Sequence, residues 1–299
     1  MLNGYRYHRE RKTVRGFWLL SLLSFCLFVF LPSSASAQTT YQRSDSLVVC
    51  RLLREAPADA STLWFARQLL GRPYVAHTLE VNDTEQLVVN VRQLDCTTLV
   101  ETVSALTLCT HRGERTWASY LKALQQLRYR GGVLNGYTSR LHYFSDWIND
   151  KVQMGLVVDI QQPNPPFTAV QTLDINFMSR HSQAYQALNT HPRLVPSIRL
   201  QEEALTGKKY RYIPKSAIRN TKLLRQTIKD GDILTITCNK KGLDIAHLGF
   251  AVWQRDGLHL LNASQLHKKV VEEPLTLYQY LQQHPSHTGI RVVRLKVKR

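Results

Sequence analysis

Cys96 stands in Leu94-Asp95-Cys96-Thr97-Thr98-Leu99-Val100-Glu101, where a polar pair opens a run of helical periodicity. A thiol attacks at neutral pH only as its thiolate, and the unpaired N–H groups and dipole of a helix start favour that anion. Asp95 suits the N-cap, and Leu99, Val100, Val103 and Leu106 recur at helical spacing, so that face is expected to pack in the core and fix the thiol. A base is available far downstream, where His247 opens an apolar strand. Residues 247–253 and 258–264 flank Arg255-Asp256-Gly257, a hairpin turn signal. With Asp256-Gly257 as the two-residue turn, Arg255 pairs with Leu258 and His247 shares a face with Asn262. The two are offset along the strands, so contact requires a long reach or a bulge. Asn262 would then accept the second imidazole N–H and orient the base, which completes a set of nucleophile, base and orienter.

The surrounding chain must position these groups. Residues 44–71 read as helical, with Leu47, Leu52, Leu53, Leu63, Trp64 and Leu70 as core candidates, and residues 87–91 as a short strand before the cysteine helix. A further helix carries Trp117, Tyr120, Leu121, Leu124 and Leu127 on one stripe and ends at Gly131-Gly132. In 140–148, Leu141, Phe144, Trp147 and Ile148 fall on one helical face, and His142, Ser145 and Asp146 on another with Asn149. Residues 161–166 form a proline-broken loop, and 178–230 read as an insertion of short helices rich in basic residues. Beyond Gly231-Asp232 the period changes to strand.

Residues 1–37 read as an export signal. Arg6, Arg9, Arg11, Lys12 and Arg15 lead an apolar run over 17–31, and Ala35-Ser36-Ala37 offers a cleavage site before Gln38. That apolar run is short for a membrane span, which needs about 20 residues, and no later stretch is apolar enough to cross. The expectation is a protein exported to the periplasm with no stable membrane insertion after cleavage. Removing the signal takes five of the 39 basic residues and one of the 22 acidic ones, which leaves a formal +13. Such charge favours polyanions, but export and the absence of a nucleic-acid motif argue for wall or lipid rather than nucleic acid. Cys50, Cys109 and Cys238 lie in apolar segments and read as core residues, with one disulfide among them permitted. The 11 histidines are scattered, no short Cys or His pair repeats and there is no glycine-rich phosphate loop, so no metal or other cofactor is expected.

Gly71-Arg72-Pro73-Tyr74, Asp95-Cys96-Thr97-Thr98, 247–252 and Leu261-Asn262-Ala263-Ser264 together resemble, in order and spacing, the signatures of NlpC-type papain-like cysteine peptidases and amidases. Cys96 to Leu106, 140–148, Tyr212-Ile213-Pro214-Lys215 and Gly242-Leu243-Asp244 resemble the N-acetylmuramoyl-L-alanine amidase-like branch of that superfamily, and the likeness spans about 45–297. Asn262 stands where many relatives of the wider superfamily have histidine. The resemblance implies an α+β papain-like fold in one domain over 38–299, with helices carrying Cys96 and a C-terminal antiparallel sheet carrying His247 and Asn262. It implies cleavage of the amide between N-acetylmuramic acid, or its anhydro form, and L-alanine in peptidoglycan or muropeptide fragments. Tyr74 would help bind the oxyanion, and His142, Ser145 and Asp146 would bind substrate if their face borders the cleft. An endopeptidase cutting within the stem peptide would use the same catalytic residues. A non-catalytic wall-binding protein would retain only the fold.

Overall fold

The computed structural model describes residues 39–297; the expected export signal and its cleavage site before Gln38 lie outside them. The chain opens with β1 (Thr39–Tyr41), α1 (Arg43–Glu55), α2 (Thr62–Arg67) and β2 (Leu87–Val89). Gln42 and Asp45 cap α1 reciprocally, and the helix stops at Ala56, which is extended because Pro57 follows it. Ser61 restarts the chain as α2 by accepting the Trp64 N–H. The expected continuous helical run is therefore two helices. Val49, Leu52, Leu53 and Ala56 form the buried stripe of α1, which leaves Leu47 on the outer face at 60 % exposure, and Leu70 lies beyond α2 at 43 %. Neither belongs to the core.

Next come α3 (Cys96–His111), α4 (Trp117–Arg128) and α5 (Phe144–Gln153). Every residue of α3 from Thr98 to Thr110 is buried, a pattern of a helix enclosed on all sides rather than on one face. It packs on α1, α2 and α4 on one side and on the sheet on the other. Its one internal carboxylate, Glu101, is held by Arg128 of α4 at 2.7 Å. Such a pair is worth little against an apolar substitute but costs about 3–5 kcal/mol to break from one side, so it specifies how the two helices meet. Gly131 and Gly132, at φ 57° and 76°, end the α4 region as the sequence predicts.

The remaining elements are β3 (Val157–Ile160), β4 (Ala169–Thr172), α6 (Phe177–Arg180), α7 (Gln186–Thr190), α8 (Val195–Leu205), β5 (Lys209–Pro214), α9 (Lys222–Thr227), β6 (Ile233–Cys238), β7 (Ile245–Trp253), β8 (Leu258–Ser264), β9 (Lys269–Glu272), α10 (Leu277–Gln282) and β10 (His287–Leu295). The architecture is α+β. An antiparallel sheet runs β4-β5-β10-β6-β7-β8-β9, with β3 also paired to β10. Leu248, Phe250, Leu261 and Val293 face the α1–α5 core, while Ala251, Leu260, Ile236 and Val292 face α9 and α10. The segment 178–230 is not purely helical, because β5 within it joins the central sheet by pairing Ile213 with Ile290. Its alternating Tyr210, Tyr212 and basic residues mask a strand inside a basic stretch.

Candidate active site

The β7–β8 hairpin places His247 and Asn262. Trp253 pairs with Leu258 and the Gln254 N–H donates to the Gly257 carbonyl at 2.8 Å, so the two turn residues are Arg255-Asp256, not Asp256-Gly257. The turn is held from outside: Asn220 and Arg225 donate to the carbonyls of Arg255 and Gln254, and Asp256 meets His259 at 3.0 Å. The shift keeps His247 and Asn262 on one face and shortens their offset, since it moves the register by an even number of residues. A one-residue irregularity between Ile245 and His247 against β6 adds the bulge that re-aims the imidazole. The expected contact forms: His247 Nε2 lies 2.9 Å from Asn262 Oδ1.

Behind Asn262 lies a partner that sequence reading missed. Asn262 Nδ2 donates to Glu273 Oε1 at 3.2 Å, and Glu273 Oε2 meets His267 Nε2 at 3.1 Å. Asn262 and Glu273 are buried. Glu272-Glu273 before Pro274 reads as a solvated charged turn, and only the β8–β9 pairing, which sets Glu273 opposite Leu260, turns one of the two inward.

Cys96 takes the first position of α3. Asp95 caps it, accepting the Thr98 N–H at 2.7 Å, with the Thr98 hydroxyl returning to the Asp95 N–H at 2.9 Å. The thiol meets the backbone N–H of Leu248, the residue after His247. That contact joins the α3 and β7 halves of the site. Burial, with the Asp95 charge adding to it, pushes the thiol up to about 12, against hydrogen bonding from Thr97 and Leu248. The helix start therefore does not yield a resting thiolate: desolvation and the capping carboxylate outweigh it. Burial also pulls the His247 imidazole below its ordinary value, opposed by Asn262 and the Glu273 charge. The resting pair is thiol and neutral imidazole, which suits proton removal at the moment of attack rather than a stored ion pair.

Tyr74 is held beside this pair by two backbone neighbours. Its N–H donates to the Lys268 carbonyl at 2.9 Å, while Leu94 and Pro73–Val75 exchange bonds of 3.0 and 3.2 Å just before Asp95-Cys96. Burial, then Cys96 and Asp95, raise its phenol, so the hydroxyl keeps its proton and can donate. Tyr280, His284 and His287 line the same region as an aromatic and imidazole cluster, with His284 and His287 stacked at 4.6 Å. They come from α10, the loop after it and the start of β10, where scattered histidines carry no readable spacing.

Of the expected helical stretch 140–148, only the part from Phe144 is helix, so Ser145 and Asp146 lie on α5 and His142 precedes it. His142 Nε2 bonds the Tyr137 carbonyl at 3.1 Å and its ring lies 4.4 Å from the Tyr137 ring. Ser145 is fully buried: its N–H donates to Asp244 Oδ2 at 2.6 Å and its hydroxyl accepts from Arg291 at 2.9 Å. Asp146 pairs with Arg130 in a hollow lined by Asn149, Gln201 and Lys208, with neither Cys96 nor His247 in its wall. Each of the three thus has a partner within the protein. Among the described residues Cys50, Cys96, Cys109 and Cys238 are all free, so the permitted disulfide is not formed, and Cys50 is only half-buried. No group of His, Cys, Asp and Glu among them is arranged to hold a metal, and no described helix is long and apolar enough to cross a membrane.

A thiol at the start of a buried helix beside an imidazole and an amide on an antiparallel sheet is an arrangement that can carry acyl transfer. Residues 64–290 match the AmiA-like family, described as N-acetylmuramoyl-L-alanine amidase-like, and the chain belongs to that family. It is an amidase-like hydrolase. A Bacteroides uniformis N-acetylmuramoyl-L-alanine amidase is 41 % identical, with TM-score 0.74 over 80 % of this chain and 99 % of that one. A Bacteroides fragilis protein provisionally described as a xylanase is also 41 % identical, with TM-score 0.72 over 77 % of this chain and 98 % of that one. A Legionella pneumophila protein at 24 % identity shares the fold, with TM-score 0.63 over 84 % of this chain and 93 % of that one. Comparison with curated proteins finds no match.

Proposed function

We propose that this chain is an exported, papain-like cysteine amidase that cuts the bond between the lactyl group of N-acetylmuramic acid and L-alanine. Cys96 Sγ attacks the lactyl carbonyl as His247 removes the thiol proton. The Cys96 backbone N–H, an unpaired first-turn donor, and the Tyr74 hydroxyl bind the oxyanion. The tetrahedral species collapses to a thioester, and the imidazolium gives its proton to the departing alanine nitrogen. Water, deprotonated by His247, then hydrolyses the thioester to the free lactyl acid and restores the thiol. The carrying observation is the 2.9 Å bond from His247 Nε2 to Asn262 Oδ1 beside the Cys96 thiol at the start of α3. A glycosidase would instead need two carboxylates flanking the scissile bond, whereas Glu273 is buried behind Asn262. That supports an amide rather than a xylan substrate.

The test is mass spectrometry of products from a defined muramyl peptide. The expected products are free N-acetylmuramic acid, or its anhydro form, and an intact stem beginning with L-alanine. A sugar-free stem cut between its second and third residues would overturn the bond assignment in favour of an endopeptidase. N-terminal sequencing of the exported protein should begin at Gln38; an intact Met1 in the membrane fraction would overturn cleavage of the signal.

A further inference from the structure

Glu273 touches no part of the site that substrate would meet, yet it stands next in line after His247 and Asn262. It is 3 % exposed and both oxygens are engaged, one by Asn262 Nδ2–H and one by His267 Nε2–H. We infer that Glu273 is a positioning residue that determines which nitrogen of His247 receives the Cys96 proton. The inference rests on the reading of His247 as the base.

A primary amide can be turned end for end at almost no steric cost, because its oxygen and its NH2 are alike in size. Nothing in the shape of Asn262 therefore fixes which end faces the imidazole. An ionised carboxylate only accepts, so the Asn262 NH2 must face Glu273 Oε1, and the Leu260 carbonyl at 3.5 Å offers a second acceptor on that side. The amide oxygen must then face His247. Since an amide oxygen also only accepts, His247 Nε2 must carry the hydrogen, and the lone pair is left on Nδ1. Reversing any link sets two acceptors or two donors against each other in a buried place, a cost of about 1–3 kcal/mol. The backbone holds the chain of bonds in line: the Glu273 N–H donates to Leu260 at 2.8 Å and the Glu273 carbonyl meets His259 Nδ1 at 2.9 Å. The Glu273 charge also favours the imidazolium that forms after proton transfer, in opposition to burial.

Three measurements test this. Nitrogen-15 NMR of His247 in the resting protein should report the Nε2–H tautomer; an Nδ1–H tautomer overturns the inference whatever the activity. Glu273→Gln, nearly the same shape, can present either end of its own amide and should give a mixture of tautomers. Its plateau kcat/KM and its rate of Cys96 alkylation by iodoacetamide should fall about tenfold, the scale of a lost orienting partner. Its acid limb should move to lower pH, because the charge that helps His247 hold a proton is gone. On an Asn262→Ala background the same change should leave the plateau rate unaltered, since the link is already cut. A single tautomer with wild-type rate and pH profile in Glu273→Gln, or rate losses that multiply independently, would show Glu273 to be a packing residue. Those results leave the amidase reading standing, which fails instead if Cys96→Ala or His247→Ala remains active.

Discussion

Two of the buried polar networks among the described residues differ in how they end, one around Arg291 and one around His247. Around Arg291 the side chains are tied to one another: Arg291 donates to Ser145 and to Asp159 at 2.9 and 2.8 Å, its guanidinium lies 3.9 Å over the Tyr210 ring, and Asp244 holds the Ser145 N–H. Around His247 the bonds run in one direction, from the buried Glu273 through Asn262 to the imidazole, and end there. The second imidazole nitrogen and the hydroxyls of Tyr74 and Tyr280 have no hydrogen-bond partner among the described residues. Burial of polar groups is common to both. Both also leave polar atoms unpaired, Arg291 Nε and Asp159 Oδ1 in the first, but only in the second do the open ends lie beside the Cys96 thiol.

Substitutions should divide cleanly along that line. Cys96→Ala should abolish hydrolysis with no change in melting temperature, whereas Arg291→Met should cost about 3–5 kcal/mol of stability and leave kcat/KM per folded molecule unchanged. Parallel activity assays and denaturant titrations decide it, and a Cys96→Ala protein as unstable as Arg291→Met would erase the distinction. Asn262→Ala should lower kcat/KM by about 10- to 100-fold, because it removes an orienting partner and not a reacting group.

Titration sharpens the same contrast. His142 is held down to about 3 by burial, with Arg140 adding to it, so the unfolded chain takes up a proton that the fold refuses. Its contribution to stability is present above the ordinary imidazole value of about 6.5 and is lost as pH falls from there toward 3. His142→Phe should therefore flatten the acid fall in stability by up to about 1.4 kcal/mol per pH unit, read by chemical denaturation across that range, with no effect on turnover. His247, also lowered, should show itself in turnover: the acid limb of kcat/KM should lie below about 6.5, and a limb above that value would contradict a buried neutral base. The smallest effect belongs to Asp146→Asn, which removes a half-exposed pair with Arg130 worth about 0–1 kcal/mol and should leave kinetics untouched.

The legible parts of the sequence were those in which one local rule sufficed. Asp95 before Cys96 announces a cap, Gly131-Gly132 a stop, and the apolar alternation after Gly231 a set of strands. Where tertiary partners decide, local rules misplace things. Asp256-Gly257 has turn chemistry, but Asn220, Arg225 and His259 fix the turn one residue earlier. Leu47 is apolar but lies off the stripe that α1 buries, and β5 hides in a basic stretch because β10 completes it. Ser145 and Glu273 show the same thing in opposite places: Ser145 is buried although it lies on a polar helix face, and Glu273, from a charged pair before proline, turns inward behind Asn262. Periodicity assigns a residue to a face, but what covers that face depends on elements far away in the chain.

The strap at Gly71–Tyr74 illustrates that distance. Gly71 and Tyr74 donate to the carbonyls of Val270 and Lys268, and Val270 returns a bond to Arg72. Residues from opposite ends of the described chain thus close the corner where Cys96 stands. During synthesis the thiol emerges long before its base, and the strap stays open until β9 exists. A chain cut short before β7 carries Cys96 without His247, Asn262 or the strap, so on the proposed reading hydrolysis would report that the chain has been made and folded through β9.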